Sequence, residues 1–187
     1  MSLVLAYHRG PADYLLASDT RFSTGPGGMA LTAPKTVRAG DWLLGGVGAA
    51  PAWQWMARAL VERLHTARIE VRDDLAIELL GAFRDMLPHA GPQEANRLPS
   101  VGCDVLGVGP LGIVWLDASG CIVWVEAPYH AVGCADAYAL GWLDARGACV
   151  NPEEDLVACI AAAAKRFPGV GGPARVLEIA HGELAPG

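Results

Sequence analysis

Short apolar runs broken by glycine and proline fill the first fifty residues. Leu3 to Ala6 form one run that stops at His8-Arg9-Gly10-Pro11, and Tyr14 to Ser18 form the next, which predicts a hairpin turning at Gly10-Pro11. Lys35 to Gly48 reads as a second hairpin, turning at Ala39-Gly40-Asp41. Between the two hairpins, residues 23 to 29 carry three glycines and a proline and predict an irregular loop.

The period then changes from two to about three and a half. Trp55, Leu60 and Leu64, with Ala52, Met56, Ala59 and Val61, recur at the spacing of an amphipathic helix over residues 51 to 67, opened by Pro51. Residues 71 to 87 repeat the pattern, with Asp73 and Asp74 at the favourable end of the helix dipole. A polar, turn-rich loop over residues 89 to 100 leads to three short apolar runs, 103–110, 112–119 and 121–128, that predict a meander. Two more helices, 136–145 and 152–167, and a closing strand, 174–180, complete the order. Strands, two helices, strands, two helices and a strand are what an α+β four-layer αββα sandwich requires: two antiparallel sheets flanked by helix pairs.

Composition narrows the class. A chain of 187 residues fits one domain, residues 1–187, that buries about 70% of its unfolded surface. Apolar residues are 52% and charged residues 18%, below the usual quarter, so part of the apolar excess is expected to be covered by another subunit. The net charge of −6 comes without a basic run, which excludes a nucleic-acid partner. Five cysteines without a C-x-x-C pair fit reduced thiols and a cytoplasmic location. No apolar run approaches the ~20 residues that span a bilayer, and the first ten residues lack a secretory leader, so no membrane association is expected. His8, His65, His89, His130 and His181 have no metal-binding spacing; no metal or cofactor is expected.

Chemistry concentrates where the strand Leu15–Ser18 runs into Asp19-Thr20-Arg21, with Lys35 a loop further on. An exposed turn with a surface ion pair, worth about 0–1 kcal/mol, is one reading of Asp19 and Lys35. A functional pair is the other. Trp53 and Trp55 read as core or subunit-contact aromatics, with a substrate pocket as the alternative for Trp53.

Three motifs favour the functional reading. An apolar start at Ser2 leads to Ala17-Ser18-Asp19-Thr20-Arg21; Lys35 in Ala33-Pro34-Lys35 precedes a Leu-Leu-Gly-Gly-Val-Gly-Ala-Ala strand; and Gly133-Cys134-Ala135-Asp136 opens a helix containing Tyr138-Ala139-Leu140-Gly141. In their order and spacing these resemble the β-type proteasome subunits and HslV, of the N-terminal nucleophile hydrolases, over nearly the whole chain.

The resemblance implies the four-layer fold and a ring-forming peptidase whose first residue is both nucleophile and base. With the initiator methionine removed, Ser2 is that residue, and its α-amine titrates near the working pH, at about 7.7 to 8.0. It implies that Lys35 stabilises the nucleophile, that Asp19 orients Lys35, and that the Ala49 or Gly48 N–H serves the oxyanion. Cys134 stands where the family places a turn serine. The chain's start, with no segment before the first strand, matches β-type subunits. Implied partners are further copies in stacked rings, a peptide or unfolded protein substrate, and an ATPase unfoldase.

The chain also departs from the family pattern. Phe167 and Val170 stand where the family has an aspartate and a serine that support the nucleophile, and the first hairpin is one residue longer. A catalytically degenerate scaffold or binding protein, and a small-amide hydrolase of the same superfamily, are the alternatives this leaves.

Overall fold

In a computed structural model, residues 2–23, 30–89, 100–147 and 151–179 are described. Met1, Cys149, His181 and most of the two loops read at 23–29 and 89–100 lie outside the described residues.

Among the described residues the chain forms eleven strands and four helices. The order is β1 (Leu3–Gly10), β2 (Asp13–Ser18), β3 (Arg21–Ser23), β4 (Ala30–Thr32), β5 (Thr36–Ala39), β6 (Trp42–Gly48), α1 (Ala50–Thr66) and α2 (Arg72–Met86). It continues with β7 (Cys103–Gly109), β8 (Gly112–Leu116), β9 (Ile122–Val125), β10 (Tyr129–Gly133), α3 (Asp136–Arg146), α4 (Pro152–Ala164) and β11 (Arg175–Ile179). The short β3–β4 ribbon and strand β10 are elements that the hydropathy pattern did not single out.

One antiparallel sheet runs β10-β1-β2-β11 and the other β5-β6-β7-β8-β9. Side-chain alternation along the central strands shows how the layers stack. Leu3, Leu5 and Tyr7 of β1, with Leu15 and Ala17 of β2, pack with Ala139, Leu143, Leu156 and Ile160 of α3 and α4. The alternate positions Val4, Ala6, Tyr14 and Leu16 pack with Leu43, Val47, Leu106 and Val108 of the other sheet. The opposite face of that second sheet, Trp42, Leu44, Cys103 and Val105, takes Trp53, Met56, Leu60, Leu75 and Leu79 of α1 and α2. Four layers with two antiparallel sheets inside are therefore the observed fold, in agreement with the expected αββα sandwich.

Two glycines of β6 let both neighbouring layers approach it closely. A Cβ at Gly46 would lie 2.0 Å from the Trp53 ring, and one at Gly45 would lie 2.6 Å from Val4. Trp53 is thus a core residue beneath β6. Trp55 is 54% exposed and stacks on His89, so it is not part of the core its spacing implied.

A bulge shapes the first hairpin. Pairing is in one register from Val4↔Ser18 to His8↔Tyr14 and shifts by one before Gly10↔Asp13, which leaves Arg9 as an extra residue. The bulge takes up one residue at the far end and leaves the Ser2 end in register. Among the described residues, no helix is long and apolar enough to cross a membrane.

Candidate active site

Where β1 begins and β2 ends, the ladder changes character. The next pair after Val4↔Ser18 is Leu3 with Asp19, and only half of it is main-chain bonding. Asp19 N–H donates to Leu3 O at 3.2 Å, while Leu3 N–H donates to the carboxylate Oδ1 of Asp19 at 2.9 Å. The same Oδ1 accepts from Lys35 Nζ at 2.8 Å, and Gly171 N–H donates to Oδ2 at 3.1 Å. Lys35 Nζ donates also to Arg21 O at 2.5 Å.

Asp19 and Lys35 are both 0% exposed, so the surface-pair reading is excluded. Buried charges persist only when paired and hydrogen-bonded, and here the carboxylate holds three donors. Burial pushes the Lys35 pKa below 10.5; the hydrogen bond and charge of Asp19, then the Cys134 sulfur, oppose that push. Lys35 starts from the edge of one sheet and reaches Asp19 at the end of a strand of the other. It ties the two sheets together at the site.

Ser2 is held from both sides. Its carbonyl accepts Cys134 N–H at 3.0 Å, and the peptide that follows it is held by Asp19 through Leu3 N–H. Gly133, at φ 123°, permits the first contact, because a Cβ there would lie 2.0 Å from Ser2 O. Ser2 is buried. One carboxylate oxygen therefore positions both the residue after Ser2 and the Lys35 ammonium.

The opposite lip is the end of β6. Ala49 N–H donates to Gly102 O at 2.9 Å, so it is already engaged and does not serve as a free donor. Gly46 N–H donates to Lys35 O at 3.0 Å on the β5 side. Because successive amides in a strand point to opposite sides, Gly48 N–H is directed to the β5 side too, beyond Lys35 where β5 has not yet begun. Of the two donors read from the sequence, Ala49 is engaged in the ladder and Gly48 lies, by alternation, on the Lys35 side. Its φ of 122° and the 2.4 Å approach a Cβ would make to Gly102 O require glycine.

Cys134 is exposed in the turn before α3, in Coulombic reach of Lys35, with its main chain on Ser2. Phe167 and Val170 are turned away from polar chemistry. Phe167 packs on the Tyr138 ring, with centroids 5.6 Å apart, and Val170 is buried in the layer between β1 and α4. The loop that carries them still supports the site, through the main chain: Gly171 N–H holds Asp19, and Gly171 O accepts Thr20 N–H and Arg21 N–H. Sequence reading missed Gly171 because a backbone donor leaves no residue-type signature.

In the other sheet, Asp104 continues the pairing Val105↔Leu116 and stands opposite Asp117. Its Oδ1 accepts Ala118 N–H at 2.7 Å. Burial, then the charges of Asp117 and Asp136, push its pKa up against that bond. Among the described residues, no group of three His, Cys, Asp or Glu is arranged to hold a metal ion.

The two stacked antiparallel sheets with a helix pair on each outer face have the fold of the proteasome-like N-terminal nucleophile hydrolases, and a buried lysine–carboxylate pair lies at the start of β1. Solved structures give that class its particulars. The chain is similar to Thiobacillus denitrificans BPH at 22% identity and a TM-score of 0.76, covering 95% of this chain and 97% of that one. It is similar to eukaryotic HslV from Trypanosoma brucei at 15% identity and a TM-score of 0.70, with 96% and 99% covered. An Anbu (Gly-1) mutant from Hyphomicrobium sp. strain MC1 matches at 15% identity and a TM-score of 0.73, with 97% and 88% covered. No family model matches the chain, and no curated protein matches it in sequence.

Proposed function

We propose that this chain is the subunit of a self-associating, proteasome/HslV-like peptidase that cleaves peptide bonds with Ser2 as nucleophile. The observation that carries the reading is the double use of Asp19 Oδ1, which binds both Lys35 Nζ and Leu3 N–H. A scaffold has no chemical need for an ammonium fully buried beside the first strand's start.

On this reading, removal of Met1 frees the Ser2 α-amine. That amine accepts the Ser2 hydroxyl proton as Oγ attacks the substrate carbonyl carbon. Lys35 lowers the energy of the developing alkoxide, and Gly48 N–H donates to the oxyanion; one such donor contributes about 10²–10³ in rate. The protonated amine then passes its proton to the leaving nitrogen. Water, activated by the same amine, hydrolyses the acyl-enzyme and restores Ser2. No side chain from the Phe167–Val170 loop enters the relay; Asp19, held by the Gly171 amide, takes the supporting role.

The substrate is a peptide or unfolded protein reached inside a ring of copies, with an ATPase unfoldase as the partner that supplies it and the cytoplasm as the compartment. A catalytically degenerate scaffold is the second reading, favoured by the apolar packing of Phe167 and Val170.

Intact mass of the purified protein, with fluorogenic peptide turnover, separates the two. The expected result is loss of one methionine mass, turnover in the wild type and loss of turnover in both Ser2→Ala and Lys35→Ala. Thiobacillus denitrificans BPH has been solved in complex with epoxomicin, so a 1:1 epoxomicin adduct that disappears in Ser2→Ala is a second readout. Equal rates in all three proteins, or a retained Met1, overturn the peptidase reading.

A further inference from the structure

Five buried side-chain polar atoms among the described residues make no hydrogen bond: His8 Nε2, Ser18 Oγ, Arg21 Nε, Thr36 Oγ1 and Trp115 Nε1. Three of the five belong to residues within two positions of Asp19 or Lys35. Unpartnered buried groups are rare in folded proteins, and ordered water is what commonly satisfies them. Three of them therefore flank the ion pair along the chain, and where their side chains point decides what they do.

Ser18 and Thr36 are 0% and 1% exposed. Both face the layer between the sheets. Ser18 follows Tyr14 and Leu16 on the interlayer face of β2. Thr36 alternates with Val37, which packs towards α1 and α2, and its Cγ2 lies 3.4 Å from the Cβ position at Gly45, where Val4 and Leu16 also converge. Val4 is the cross-strand partner of Ser18. The stem of Lys35 crosses this same layer to reach Asp19.

The geometry points to a buried water site held by Ser18 Oγ and Thr36 Oγ1 between the two sheets, beside the Lys35–Asp19 pair, which makes these hydroxyls positioning groups for the Lys35 ammonium. A water there makes about three hydrogen bonds and satisfies both hydroxyls in a layer otherwise lined by Val4 and Leu16. The inference deepens the proposed reading of the Lys35 site and rests on Lys35 carrying a charge there. It does not rest on peptide turnover.

The consequence is a Lys35 charge held over a wider pH range than burial alone would allow. The groups that act on Lys35 stay constant in the test: Asp19 at the end of β2, the Arg21 carbonyl of β3 and Cys134 after β10, with the Ser2 α-amine unaltered by either substitution.

The chain has two lysines, Lys35 and Lys165. Lysine-selective ¹⁵N labelling therefore gives two Nζ resonances, the exposed Lys165 serving as internal reference. In the double variant Ser18→Ala/Thr36→Val the Lys35 midpoint is expected to fall by about one pH unit, with Lys165 unmoved. Thr36→Ser, which keeps the hydroxyl, restores the wild-type midpoint. If the double variant fails to fold, Ser18→Ala and Thr36→Val alone each give a smaller fall in the same direction. A crystal structure of the wild type shows a water within hydrogen-bond distance of both hydroxyls. An unchanged Lys35 midpoint in the folded variants, or hydroxyls bonded directly to protein acceptors with no water between them, overturns the proposal. Loss of turnover with a normal Lys35 titration would count against the peptidase reading instead.

Discussion

Two regions of this molecule use the same charge pairing to opposite effect. At the start of β1, Lys35 and Asp19 meet at 2.8 Å with both side chains 0% exposed. On the outer face of α1 and α2, Arg63 forks between Glu78, at 3.1 Å, and Asp85, at 2.7 Å, with side chains 33%, 23% and 58% exposed. Each region also has a glycine that makes room. A Cβ at Gly133 would meet the Ser2 carbonyl at 2.0 Å, and one at Gly81 would meet the Arg63 guanidinium at 2.5 Å. Burial turns the first into a constraint that neither partner can escape. Exposure leaves the second free to rearrange in water.

The largest effect is expected at Asp19. Asp19→Ala leaves the Lys35 charge buried without a partner and should cost about 3–5 kcal/mol, read as a shift of the urea midpoint. Adding Lys35→Met to that background should recover a large part of the loss. A double variant as unstable as the sum of the singles would show that the pair is not coupled.

Gly133→Ala comes next. Neither the φ of 123° nor the backbone clash with Ser2 O can relax, so a loss of about 3 kcal/mol is expected together with displacement of Ser2. Its counterpart Gly81→Ala meets only the far end of a flexible side chain. The helix gains about 0.5–1 kcal/mol from the substitution, so a small rise in thermal midpoint is expected even as Arg63 swings away.

Alkaline titration sharpens the contrast further. Because burial holds the Lys35 pKa below 10.5, folding disfavours the charged amine relative to the unfolded chain. The cost of holding its charge is fully present below that lowered pKa and is relieved as pH rises from it to 10.5. The difference in unfolding free energy between wild type and Lys35→Met should therefore move in favour of the wild type across that window. If the proposed peptidase reading holds, peptide turnover should fall over the same range, because that reading requires the ammonium. Arg63 remains charged throughout, its pKa raised by hydrogen bonds to Asp85 and Glu78.

The smallest effect belongs to Arg63→Ala, about 0–1 kcal/mol and shrinking as salt is added. A loss as large as that of Asp19→Ala would erase the distinction between the two regions.

How much of this was legible in the sequence depended on which atoms carry the information. Helix periods and the Gly-Pro turns placed α1, α2 and the first hairpin to within a residue or two, because apolar spacing and backbone preference leave marks in residue type. The layer order was less visible, since β1 is apolar on both faces; which face meets helices and which meets the second sheet emerges only from packing. Asp19 and Lys35 could be singled out by charge at a strand end, but their burial could not. Main-chain groups were the least legible. The choice between Gly48 and Ala49 follows from the alternation of ladder bonds, and the support that Gly171 gives Asp19 comes from an amide that any residue except proline could provide.

The Arg9 bulge has a further consequence. By absorbing a length difference at the tip of the first hairpin, it decouples that tip from the residues around Ser2. Residues can be inserted between Arg9 and Ala12, as an epitope tag or a fluorophore handle, without moving the chain's beginning by a register step. That tip is thus a convenient anchor for a label that leaves the start of β1 undisturbed.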